Sequence, residues 1–164
     1  MVALLGALCM FLSAIEYMIP KPIPFLRVGI ANLPVLVSLD LLPVPLVLLL
    51  VVLKVLGQGI IGGTLFSYVF VFSAAGSFAS AFAMLLVRQA SGGRITLVGA
   101  GVIGALCGNI AQILLARLLI FGGSAWLIGP PFLLLGTATA VLLGIFAERF
   151  VKRSRWLAGI RESL

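Results

Sequence analysis

The sequence predicts an all-α integral membrane protein, a bundle of about six transmembrane helices, and three observations lead there. Of the 164 residues, 63% are apolar and only 9% are charged, and the mean hydropathy is +1.33. A soluble domain carries about 45–50% apolar and about 25% charged residues. These charges cannot cover a water-facing surface, and no polar stretch is long enough for a soluble domain. The apolar residues also fall into runs of span length, broken by Pro, Gly and charge clusters. Much chemistry is excluded as well. The chain has no His, four Asp and Glu together, and two cysteines, Cys9 and Cys107. Both cysteines lie in apolar runs without CxxC spacing and read as buried packing residues. No metal site, cofactor or catalytic group is expected.

Helix 1 is expected over roughly 2–19, closed by Pro20-Lys21-Pro22-Ile23-Pro24, where three prolines demand extended chain. No basic residue precedes it and no small-residue cleavage site follows, so it reads as a retained first helix. Helix 2, roughly 26–42, is short and contains Arg27, Asn32, Pro34 and Asp40. Helix 3, roughly 44–61, carries Lys54 and Gln58. Helices 4 and 5, roughly 64–88 and 95–121, are joined through Ser91-Gly92-Gly93. Helix 6, roughly 126–148, has Pro130-Pro131 near its start. Residues 1–148 thus form one helical bundle, and 149–164 form a basic tail.

Orientation follows from the cations. The net charge is +7, and five of the 11 cations lie beyond residue 148: Arg149, Lys152, Arg153, Arg155 and Arg161. With both termini inside, the inner flanks hold those five with Arg88 and Arg94, against Lys21 and Arg27 outside. The tail reads as a topogenic and lipid-headgroup anchor, and no soluble fold exists to present it to nucleic acid. The alternative makes helix 2 re-entrant, which leaves five spans, an external N-terminus, and Lys21 and Arg27 inside.

Ionisable and polar side chains within spans are costly, so their positions mark candidate function. With six spans, Glu16 lies near the outer end of helix 1, and Lys54 and Gln58 stand one turn apart in the outer half of helix 3. Helix 5 places Asn109, Gln112 and Arg117 progressively outward, and Arg27 and Asn32 open helix 2 from the outside. Four helices therefore converge polar groups on the outer half of the bundle. There Lys21, Arg27, Lys54 and Arg117 stand against Glu16, a formal excess of +3 that calls for an anion. Snorkelling to headgroups is the competing role for the cations, and interhelical hydrogen bonding for Asn109 and Gln112. Small residues recur at four-residue spacing, as Ala3 and Ala7 on helix 1, Ala75, Ala79 and Ala83 on helix 4, and Gly101 and Ala105 on helix 5. Such stripes allow close helix approach, within the bundle or to a partner protein.

These residues resemble a bacterial membrane family known as heptaprenyl diphosphate synthase component I, or Gx transporter. The resemblance starts at Glu16, the Pro20, Pro22 and Pro24 linker, and Leu26-Arg27-Val28-Gly29-Ile30-Ala31-Asn32. It continues through Gly62-Gly63, Phe66, Ser73, Gly76, Ser80, Met84, Gly104-Ala105, Asn109, Gln112, Gly136 and Gly144. The family often carries His-Asn where this chain has Gly108-Asn109, which removes a polar contact there. The resemblance implies a six-helix fold similar to the substrate-binding S components of energy-coupling factor transporters in the bacterial cytoplasmic membrane. It also implies a ligand held in the outer half and a small-residue motif on helix 1, matched by Ala3 and Ala7, that docks on a coupling subunit with its ATPases.

The synthase label can be weighed on chemistry. Prenyl chain elongation uses metal ions held by clustered aspartates, and Mg²⁺ wants carboxylate oxygens. Asp40 is the one Asp, and Glu16, Glu148 and Glu162 are scattered, so this chain cannot supply that site alone. With no P-loop, any ATP-driven step belongs to separate subunits. The expected role is a substrate-binding transporter subunit for a small organic anion, or else a non-catalytic membrane subunit of a prenyl diphosphate synthase. The expected topology has a direct check. A reporter active only in the cytoplasm should be active at either terminus, and a dead N-terminal fusion beside a live C-terminal one would indicate five spans.

Overall fold

The computed structural model describes residues 1–18 and 29–154, and every regular element among them is helical. In chain order these are α1 (Val2–Met18), a 3-10 turn (Ile30–Asn32), α2 (Leu33–Ser38), α3 (Val44–Ile61), α4 (Tyr68–Ala90), α5 (Leu97–Ala116) and α6 (Ala125–Arg153). Arg117–Phe121 continues α5 as a π-helical turn before the short Gly122–Ser124 turn. Four stretches are long and apolar enough to cross a bilayer: Val44–Ile61, Tyr68–Ala90, Leu97–Leu127 and Gly129–Arg153. The 17 residues of α1 are apolar too and, at about 1.5 Å per residue, fall just short of a hydrocarbon core of about 30 Å.

Local sequence chemistry sets the ends. Pro43 holds an extended conformation and Pro45 occupies the first turn of α3, where a missing N–H costs nothing. Gly62 and Gly63 end α3, and Gly63 takes φ 61°, a left-handed conformation that suits glycine. Thr96 caps α5 by accepting the Gly99 N–H at 3.1 Å. The last helix runs to Arg153 instead of stopping near 148, so Arg149, Lys152 and Arg153 ride on its final turns.

The second expected helix departs most from the sequence reading. In place of one helix over 26–42, the described part is the 3-10 turn followed by the six residues of α2. Gly29 at φ 84° breaks the chain before it, and Pro34 sits in the first turn of α2, so helix can run only forward from there. At about 1.5 Å per residue α2 is far too short to span. It is nevertheless deeply buried, with Val35 packed beside Leu5, Cys9, Val47 and Leu50, and Leu36 and Val37 packed beside Met84, Leu97, Ala100 and Ala147. The short helix is a wedge shared by both halves of the core.

Register fixes the order of traverses. Gly6 of α1 faces Leu50 and Leu53 of α3, and Gly57 faces Met10, so α1 and α3 run parallel. Gly76 lies against Gln112 and Gly104 against Met84, which makes α4 and α5 antiparallel. Gly136 meets Asn109 and Gly144 meets Val98, which does the same for α5 and α6. Parallel α1 and α3 require the chain between them to return to its starting face. The starts of α1, α3 and α5 and the ends of α4 and α6 therefore share one face. At that face Arg88 of α4 pairs with Asp40, just beyond α2, and also donates to the Ile95 carbonyl at 2.9 Å.

Cys9 is buried as expected, whereas Cys107 is exposed on the outer surface of α5. The wide apolar surfaces of α6, including Leu134, Leu135, Leu142 and Phe146, suit hydrocarbon. Between α4 and α5 the fit is close. A Cβ added to Gly108 would come within 2.8 Å of the Gly76 carbonyl oxygen, a backbone atom that cannot rotate aside. Gly108→Ala should therefore destabilise the bundle by about 1–3 kcal/mol, read as a lower melting temperature in detergent. Gly123→Ala, where a new Cβ meets nothing within 4 Å, should melt as wild type does.

Candidate functional site

Polar side chains rejected by lipid gather where α2 leaves room between the long helices. Glu16, near the end of α1, is 3% exposed, and its carboxylate accepts the Gly29 N–H at 3.1 Å and the Ala31 N–H at 3.3 Å. These amides open the 3-10 turn, whose first N–H groups have no acceptor within the turn itself. Lys54, mid-way along α3, is also 3% exposed. Its ammonium donates to Asn32 Oδ1 and, at 3.0 Å, to Ser77 Oγ of α4. Ser73 Oγ donates to Gln58 Oε1 at 3.2 Å, and Gln112 Nε2 donates to the Phe72 carbonyl at 3.3 Å.

Together these groups enclose a cavity of about 60 Å³, room for a few water molecules as it stands. Glu16, Asn32, Lys54, Gln58, Asn109 and Gln112 all line it, with Ser77, Ser80 and Leu36. Glycines make up much of its remaining wall, among them Gly76, Gly104 and Gly108 where α4 and α5 cross, and Gly136 of α6. A side chain at Gly136 would occupy the space of the Asn109 amide, and one at Gly76 the space of the Gln112 amide. Glycine at these places is what lets two amides fit inside the bundle.

Of the eight binding residues expected from the sequence, the cavity thus brings six together. Arg27 lies outside the described residues, as does Lys21. Arg117 is exposed in the π-helical turn, and its guanidinium lies over the Trp126 ring at 5.8 Å. Being close to the helix end, it reaches the surface and takes an aromatic partner there. Among the described residues, the charged groups that line the cavity are Lys54 and Glu16, and Arg117 of the expected cluster is not there. Ala3 and Ala7 are exposed on α1, on a face turned away from Leu5, Gly6 and Cys9. Ser77 was not foreseen, although Ser73, Ser77 and Ser80 recur at helical spacing along one buried face of α4.

The arrangement is suited to holding a polar group out of water. Among the described residues, no three His, Cys, Asp or Glu side chains gather where they could hold a metal ion. A family model described as heptaprenyl diphosphate synthase component I matches residues 5–150. The chain belongs to that family. No curated protein and no solved structure matches it. The matched stretch, 5–150, takes in every described residue lining the cavity, from Glu16 to Leu143.

Proposed function

We propose that this membrane protein is the substrate-binding subunit of a transporter that takes up a small organic anion, in the manner of an energy-coupling factor S component. The observation that carries this reading is Lys54: an ammonium in the middle of an apolar span, enclosed with other polar side chains around a cavity. An ionisable group at that depth is costly, and a bundle that needed only to pack would fill the space with apolar side chains. The site gathers binding groups from α1, α3, α4 and α5 in the outer half of the proposed topology, where a solute arriving from outside would enter. Both termini are cytoplasmic in this reading, with the basic end of α6 at the inner headgroups.

The charge of the cavity narrows the ligand. Lys54 supplies one positive charge beside Glu16 and amide and hydroxyl groups, which suits a head with a single negative charge, such as a carboxylate, better than a diphosphate. Ala3 and Ala7 are exposed on α1 beside Leu4, Leu8 and Phe11, and serve in this reading as part of the docking surface for a coupling membrane subunit, which brings the ATPases.

The family description favours a second reading, a non-catalytic membrane subunit of a prenyl diphosphate synthase. Asp40, the one Asp, is held by Arg88 at the face opposite Glu16, so the metal-binding aspartates would have to come from a soluble partner. Purification from native membranes separates the two readings. The transporter reading expects a coupling membrane protein and ATPases to accompany the chain, and recovery of an Asp-rich synthase without ATPases would contradict it. Lys54→Gln should weaken retention of the co-purified small molecule by about tenfold or more. Arg155→Gln in the tail should leave it unchanged. A cationic co-purified molecule, or equal retention by Lys54→Gln, would overturn the anion assignment.

A further inference from the structure

Three buried polar atoms at the cavity have no hydrogen-bond partner: Ser80 Oγ, Asn109 Nδ2 and Gln112 Oε1. Their residues are 3%, 8% and 7% exposed, and all three line the cavity. Buried polar groups in proteins are almost always satisfied, so three orphans around one space indicate that something else completes them. Their chemistry is specific. Gln112 spends its Nε2 on the Phe72 carbonyl, which fixes the amide and turns Oε1 into a free acceptor. Asn109 leaves a free donor one turn away on the same helix, and the two lie on one face of α5. Ser80 can serve as either. Lys54 reaches the same cavity from α3, with its charge.

We propose that Asn109 and Gln112, assisted by Ser80, read an amide-like edge on the ligand, a hydrogen-bond acceptor beside a donor, while Lys54 holds its anionic group. This rests on the proposed binding role of the cavity and names the substrate class: small acids that also carry a carboxamide, lactam or ureide group. The ligand carbonyl accepts from Asn109 Nδ2 and the ligand N–H donates to Gln112 Oε1. A prenyl chain offers neither, and placing one here would leave both amides buried and unsatisfied. The edge therefore selects against hydrocarbon tails as well as for amides. A site built to hydrogen-bond a group discriminates strongly against an analogue that lacks it, because its own polar atoms are left unpaired.

Two isosteric probes isolate this edge. Succinamate carries a carboxylate and a primary amide, and levulinate replaces the amide NH₂ with a methyl group. Each is titrated calorimetrically into the full chain in lipid nanodiscs, with pentanoate as a carboxylate lacking the carbonyl. Succinamate should bind about tenfold or more tightly than levulinate. Gln112→Leu should collapse that preference, Asn109→Leu should weaken succinamate and levulinate alike relative to pentanoate, and Lys54→Gln should weaken all three acids together. If either leucine variant fails to fold, Ser80→Ala serves instead: removing an unpartnered hydroxyl should leave melting no lower while reducing the preference. Equal affinities for succinamate and levulinate, both lost in Lys54→Gln, would overturn the amide edge and keep the anion cavity. Binding of none of the three acids to wild type would overturn the edge and the anion cavity alike, leaving the orphans to trapped water.

Discussion

The bundle depends on one constraint: backbone amides that leave regular helix inside a membrane must find acceptors from protein. The broken segment between α1 and α3 exposes such amides at Gly29 and Ala31, and the Glu16 carboxylate takes both. A carboxylate is costly at that depth, and accepting two N–H groups helps to compensate it. Once the 3-10 turn is held against α1, Asn32 is in reach of Lys54, and Lys54 in turn reaches Ser77 of α4. Three helices and the broken segment are thereby tied by buried polar contacts. At the other end Arg88 takes Asp40 and closes the segment from below. The cavity is what remains between those two ties.

Among the described residues, α2 is too short to fill the space between the long helices, which leaves a gap. The glycines of α4, α5 and α6 then decide how the gap is lined. Gly76, Gly104 and Gly108 draw α4 and α5 together, and Gly136 leaves the depth that the Asn109 amide occupies. Tight packing on one side and the shortness of α2 on the other put the polar side chains of α3 and α5 around one space. Function, in this account, follows from an interrupted traverse inside an otherwise close-packed bundle.

Much of this was legible in the sequence because lipid makes polar residues conspicuous. Glu16, Lys54, Gln58, Asn109 and Gln112 stand out in apolar runs, and each lies at the cavity. The long helices and most of their boundaries follow from run length, Pro and Gly. Other features lay beyond that reasoning. The break of the second helix is set by a left-handed Gly29 before the 3-10 turn and Pro34 after it, and composition alone reads that stretch as a short span. Arg117 has the same sequence credentials as Lys54. It stands close enough to a helix end to reach the surface, where Trp126 receives it. Ser77 is too small and too common in packed spans to signal a role without its partner. The amide orphans depend on which end of Gln112 is already engaged, a fact of three-dimensional packing.

Hydrogen exchange at two backbone amides tests the central claim most directly. If Glu16 holds the broken segment, the Gly29 and Ala31 amides are protected in the folded protein, and Glu16→Leu should speed their exchange about tenfold or more while the mid-helix amides of α4 stay slow. Unchanged exchange at both positions in Glu16→Leu would contradict the account, since the segment and its cavity would then be held by something other than this carboxylate.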